Sequence, residues 1–109
     1  MSHKPEGAMH VEIKGVHLEV TDKMKEHIEK RVPHLDFAKD MIIDLSLTIT
    51  KDNGYQVEAN INFRWGSSAH ISVSNFDVFE GIDALFHKID SKVTKEKQRI
   101  QEHGPRAAQ

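Results

Sequence analysis

The chain has 109 residues, 38% of them apolar and 29% charged, with no cysteine and 15 Lys and Arg against 17 Asp and Glu. That bounds it to one domain with a real core, and it excludes a disordered chain, a disulfide framework and any thiolate metal site. No apolar run approaches the ~18 residues of a membrane span, no signal peptide precedes the first patterned segment, and the missing cysteines suit a reducing cytoplasm.

The first eight residues, "MSHKPEGA", have no period and are expected to be a disordered leader or a remnant of expression. From Met9, "MHVEIKG" alternates Met9, Val11 and Ile13 with His10, Glu12 and Lys14, the pattern of a half-buried strand that Gly15 ends. In "VTDKMKEHIEKRV", Thr21 suits an N-cap and Asp22 suits the positive end of the helix dipole. Met24, Ile28, Val32 and Leu35 recur at helical spacing, and Pro33 ends or kinks that helix.

"MIIDLSLTIT" places Ile43, Leu45, Leu47 and Ile49 on one face of a second strand, and Asn53-Gly54 marks a hairpin turn. "YQVEANINFRW" is the clearest strand, with Tyr55, Val57, Ala59, Ile61, Phe63 and Trp65 directed inward. After "GSS", Ala69, Ile71 and Val73 alternate with His70, Ser72 and Ser74 in a fourth strand, and a long amphipathic helix follows. The order β-α-β-β-β-α predicts an α+β two-layer sandwich, a four-stranded sheet with two helices packed on one face. Its core is expected to join Leu45, Leu47, Val57, Ala59, Ile61 and Ile71 to Ile28, Ile82, Phe86 and Ile89.

Charge is spread unevenly. Residues 36–87 hold three Lys or Arg and eight Asp or Glu, whereas residues 88–109 hold six and three. At about 100° per residue, Phe79, Ile82, Phe86, Ile89 and Val93 share the core face of the last helix. Lys88, Lys92, Lys95 and Arg99 fall within about 60° of one another on the opposite side. Lys23, His27, Lys30 and His34 form a weaker stripe on the first helix. Cations near a helix C-terminus are also favoured by the dipole, and a lysine-rich solvent face is common. A helix-borne basic stripe beside an acidic body nevertheless suits a polyanion held through its phosphates.

"MHVEIKGVHLEVTDKMKEHIEKRV" and "FDVFEGIDALFHKIDSKVTKEK" resemble the two signature segments of the ribosome hibernation promoting factors, also called ribosome-associated inhibitor or Y proteins. The second segment matches through Asp77, Phe79, Gly81, Ile82, Asp83, Leu85, Lys88 and Ile89. The resemblance covers about Met9 to His103, and its specificity lies in both segments occurring at the right separation and in the right order.

It implies a fold similar to double-stranded RNA-binding domains and a cytoplasmic protein that binds the small ribosomal subunit, and the intact ribosome, in the messenger and transfer RNA channel. There such proteins occupy the decoding region and block translation during stress or stationary phase. By position, Lys23, Lys25 and Lys30 match the basic positions of the first helix, and Lys88, Lys92, Lys95 and Lys97 those of the second. These residues are expected to contact 16S-type ribosomal RNA, and Arg99 joins them by the stripe argument alone. Ser91 and Thr94 thin the basic surface, and Pro33 interrupts a helix that the family usually runs through. The chain resembles the short form, with a ribosome-binding domain over residues 9–103 and a disordered tail over 104–109.

Two other readings compete. The eight histidines are scattered and form no metal-binding pair on one helix, and there is no phosphate loop or activated nucleophile. No catalytic residue, cofactor, metal or small-molecule substrate is therefore expected, and His70 is expected to be solvated. A protein-interaction module draws on Trp65 with Phe63 and Arg64, since aromatic and Arg side chains are enriched in binding hot spots, and a general binder of structured RNA without ribosome specificity is a further alternative. The simpler role for Trp65 is to cap the core at the end of the sheet.

Overall fold

The computed structural model describes residues 10–107, with side chains through Arg99. The leader expected over residues 1–8 lies outside the described residues. The elements are β1 (His10–Val16), α1 (Asp22–Arg31), a 3-10 segment (Val32–Ala38), β2 (Ile42–Lys51), β3 (Tyr55–Phe63), β4 (Ser68–Asn75) and α2 (Val78–Ala107). They form one mixed sheet in the order β1-β2-β3-β4. β2, β3 and β4 are an antiparallel meander. β1 lies parallel to β2, from His10 opposite Asp44 to Val16 opposite Thr50. A parallel pair needs a crossover, and α1 with the 3-10 segment supplies it.

Local chemistry sets the boundaries. The Thr21 hydroxyl accepts from the Met24 amide at 3.2 Å, while the Met24 sulfur accepts from the Thr21 amide at 3.4 Å, so both residues cap α1. At Pro33 the helix tightens into the 3-10 segment, which carries Leu35 and Ala38 into the core. Asn53 (φ 53°) and Gly54 (φ 110°) take the left-handed conformations that the β2–β3 turn requires. Asp77 caps α2, its carboxylate accepting from the amides of Phe79 at 2.8 Å and Glu80 at 3.3 Å. α2 continues past residue 103 to Ala107.

Both helices cover the same face of the sheet. Leu45, Leu47, Ile49, Val57, Ala59 and Ile61 are buried with Met24 and Ile28 of α1 and with Ile82, Leu85, Phe86, Ile89 and Val93 of α2. α2 approaches β3 so closely that a Cβ on Gly81 would lie 3.1 Å from a Val57 methyl. The other face carries polar side chains such as Glu12, Ser46, Thr48, Asn60 and His70, as expected of a sheet covered on one side only.

Four details differ from the reading of the sequence. Gly15 does not end β1, which runs to Val16. Its missing Cβ instead admits the Leu18 carbonyl, which would stand 2.6 Å from that atom. A register shift between Ile42 and Asp44 sends Ile42 inward and leaves Ile43 46% exposed, because the bulge changes the parity of the alternation. Trp65 is not an inward strand residue: β3 ends at Phe63 and the indole is 40% exposed. Ile71, on edge strand β4, is only half-buried against the core.

Candidate nucleic-acid interface

α1 and α2 lie side by side and are tied together at one carboxylate. Asp83 of α2 accepts from Arg31 Nε at 2.7 Å, and His27 Nε2 lies 2.8 Å from the same oxygen. The His27 ring also meets the Phe79 ring edge-on, with centroids 5.1 Å apart. Partial burial pushes the Asp83 carboxyl up. The hydrogen bonds and charges of Arg31 and His27 outweigh that and hold it below the usual carboxylate range. It is therefore ionised at neutral pH and links the two helices across their outer surface.

On α2, Lys88, Lys92 and Lys95 are exposed, and none forms a salt bridge among the described residues. They stand on one side of a helix whose opposite side is the core, so the fold holds their backbone rigidly while leaving three ammonium groups in water. Lys23 and Lys30 lie about 20° apart on the flank of α1 that carries His27, and both are exposed. Lys25 is exposed too, but about 150° away around the same helix, so it does not join them. Between the two stripes runs a groove lined by Arg31, His34, Asp83, His87 and Asp90 over a floor of Leu35 and Phe86.

The two remaining cations are engaged within the protein. Arg99 donates to Glu96 Oε2 at 2.6 Å, and Trp65 Nε1 donates to the same oxygen at 3.2 Å. The Arg99 hydrogen bond is the main cause that holds the Glu96 carboxyl below its usual range against its burial, with help from Trp65 and from the charges of Arg99 and Lys92. Glu96 is 8% exposed, so an ionised carboxylate sits under the far end of the stripe and cancels the charge of Arg99. The ammonium of Lys97 lies 5.6 Å from the Phe37 ring centroid on the far side of α2. The structure thus brings together Lys88, Lys92 and Lys95 on one helix and Lys23 and Lys30 on the other; Lys25, Lys97 and Arg99 stand apart.

Sequence reasoning missed Arg31 and Glu96. Glu96 lies about 40° around the helix from Lys92, at the border of core and stripe, and that position was the available signal. The pairing of Arg31 with Asp83 spans 52 positions and has no local signature.

The surface carries exposed ammonium groups on both sides of a groove that itself holds Asp83 and Asp90. Among the described residues, no group of three or more His, Cys, Asp or Glu could hold a metal ion, and no helix is long and apolar enough to cross a membrane. Ammonium groups repeated along a rigid helix suit phosphates as point charges.

Comparison with known proteins identifies the family and the fold. The family model described as "Sigma 54 modulation protein / S30EA ribosomal protein" matches residues 11–101. A ribosome hibernation promoting factor from Azotobacter vinelandii is 29% identical over 103 residues, an alignment covering 92% of this chain and 95% of that protein. A ribosomal subunit interface protein from Coxiella burnetii superposes with a TM-score of 0.76 at 22% identity, covering 83% of this chain and 99% of the other. The N-terminal domain of Protein Y from Thermus thermophilus does so with a TM-score of 0.70 at 19% identity, over 80% and 98%. At such identities the solved structures speak for the fold.

Proposed function

The chain belongs to the Sigma 54 modulation protein / S30EA ribosomal protein family, that of the ribosome hibernation promoting factors, and from this premise we propose that it is a ribosome hibernation factor. It binds the small ribosomal subunit, and the intact ribosome, in the messenger and transfer RNA channel at the decoding region and so inhibits translation under stress or in stationary phase. The observation that carries the reading is the stripe of Lys88, Lys92 and Lys95, exposed and without ion pairs among the described residues, on one rigid helix of a net-acidic chain. Lys23 and Lys30 extend it across the groove. These groups hold phosphates of 16S-type ribosomal RNA, whereas Lys25, Lys97 and Arg99 contribute secondarily, because one faces elsewhere and two are engaged within the fold.

The action is occupancy and not turnover. Inhibition of translation then saturates near one copy per ribosome and is reversed when the protein is removed, whereas substoichiometric, lasting inactivation would mark an enzyme. The direct test is sedimentation: the protein should travel with small subunits and intact ribosomes and leave them as salt is raised. Co-sedimentation that survives thorough nuclease digestion of the RNA would transfer the contact to ribosomal proteins and refute the phosphate reading. A general binder of structured RNA is separated by competition, since transfer RNA in excess should not displace a factor specific for the small subunit.

A further inference from the structure

Trp65 is the chain's one tryptophan, and the phosphate stripe leaves it without a role. It lies beyond the end of β3 and is 40% exposed, yet it is not loose. One side of the indole lies on Phe63, with ring centroids 5.2 Å apart and planes within 9° of parallel. Phe63 itself is 2% exposed, so this support is part of the core. The indole N–H is held by Glu96, which Arg99 holds in turn. The following residue, Gly66, turns the chain away with a φ of 94° and has nothing near the place of a Cβ.

A large aromatic ring is therefore fixed in orientation by a buried ring stacked on one side and a hydrogen bond at its edge, while 40% of the residue remains exposed. Its anchor on α2, Glu96, is about 40° around the helix from Lys92 and 60° from Arg99, so the ring borders the basic stripe. The cations beside the ring favour an anionic partner at its exposed part.

We propose that Trp65 is a stacking platform for an unpaired nucleobase of an RNA strand whose phosphates run along Lys88, Lys92 and Lys95. The inference deepens the ribosomal RNA-binding reading and rests on it. The flanking cations favour a nucleic acid over an apolar protein segment, and stacking on a fixed aromatic face beside a cationic track is how unpaired strands are held. Because the indole N–H is already used by Glu96, the platform offers a π-face and no base-reading donor. Stacking of this kind is tolerant of base identity.

The single tryptophan makes the test direct. A dye-labelled, unstructured 12-nucleotide RNA is titrated with the protein at low salt, reading dye anisotropy for binding and indole emission for stacking. Binding should be accompanied by quenching of Trp65. Trp65→Leu should weaken binding roughly 5- to 150-fold, the loss expected for one stacked base. Trp65→Phe should stay within a few-fold of wild type. Both variants lose the hydrogen bond to Glu96, so the difference between them isolates the aromatic face, and equal melting temperatures check that both are folded. Lys92→Gln should weaken binding while leaving the quench at saturation intact. Anisotropy that rises with no quench, or equal affinity of the Leu and Phe variants, would overturn the platform while leaving the RNA-binding reading standing. Anisotropy that stays flat for wild type overturns the platform, while the ribosomal RNA-binding reading stands or falls on the sedimentation test. Loss of ribosome binding in Trp65→Leu without any effect on RNA would assign Trp65 to a protein contact instead.

Discussion

Replacing Lys92 and Lys95 together by Gln tests whether the stripe on α2 exists to hold phosphates. Each phosphate neutralised contributes roughly 0.7 to 0.9 to the slope of log affinity against log salt. Five exposed lysines without ion pairs among the described residues, Lys23, Lys30, Lys88, Lys92 and Lys95, therefore predict a slope of about 3.5 to 4.5. Raising salt from about 50 to 200 mM should cost wild type roughly a hundredfold or more in affinity for small subunits. The double variant should have a slope of about 2 to 2.7 and lose only roughly twenty- to fortyfold over the same range. The fold should not suffer. Gln is as good a helix former as Lys, both side chains are exposed, and the change relieves like-charge repulsion with Lys88 and between the two positions. Lys92 also helps to keep Glu96 ionised, which offsets part of that gain. The measurement is a co-sedimentation or fluorescence titration at four or five salt concentrations, with a thermal melt of each protein. Unchanged slope and unchanged affinity in the double variant would refute the reasoning and leave the stripe a solvated helix face.

Arg99→Gln removes the same formal charge as either lysine but should behave differently. It strips a largely buried carboxylate of its main partner, so stability should fall by about 1 kcal/mol, discounted because Arg99 is itself more than half exposed. That corresponds to about 4–6 °C in melting temperature, while the salt slope changes less than in Lys92→Gln. Asp83 and Glu96 both have folded-state pKa values below their ordinary ones. The stability they add is present above the usual carboxylate range, near pH 4, and is lost as pH falls below it through the folded values. Urea midpoints should thus be level from about pH 7 to 5 and drop at about pH 3.5, and Asp83→Asn should shrink that drop. Ile82→Ala opens a cavity at a fully buried position between α2 and the sheet and should cost about 2–4 kcal/mol by urea unfolding, with the folded fraction still binding ribosomes.

The element order, the covering of one sheet face by two helices and the stripe of Lys88, Lys92 and Lys95 were all determined by the sequence itself. They rest on periodicity: alternation by twos assigns the faces of a strand, and recurrence every 3.6 residues separates the core side of α2 from its basic side. The turn at Asn53-Gly54, the cap at Thr21 and the end of the regular helix near Pro33 were legible for the same reason, since each depends on the chemistry of one or two neighbouring residues. The parallel placement of β1 was not, because alternation says which face a strand buries and not which neighbour it joins. Nor was the bulge that turns Ile43 outward, which shifts the parity on which such a reading depends. The electrostatics of the site were decided only by tertiary structure. Arg31 meets Asp83 across 52 positions, and Glu96 meets Trp65 across 31. A charge counted along the chain is a formal charge; whether it is free to hold a phosphate depends on what the fold sets beside it. That is why Lys92 and Lys95 remain available to a ligand, while Arg99, on the same stripe, is held by Glu96.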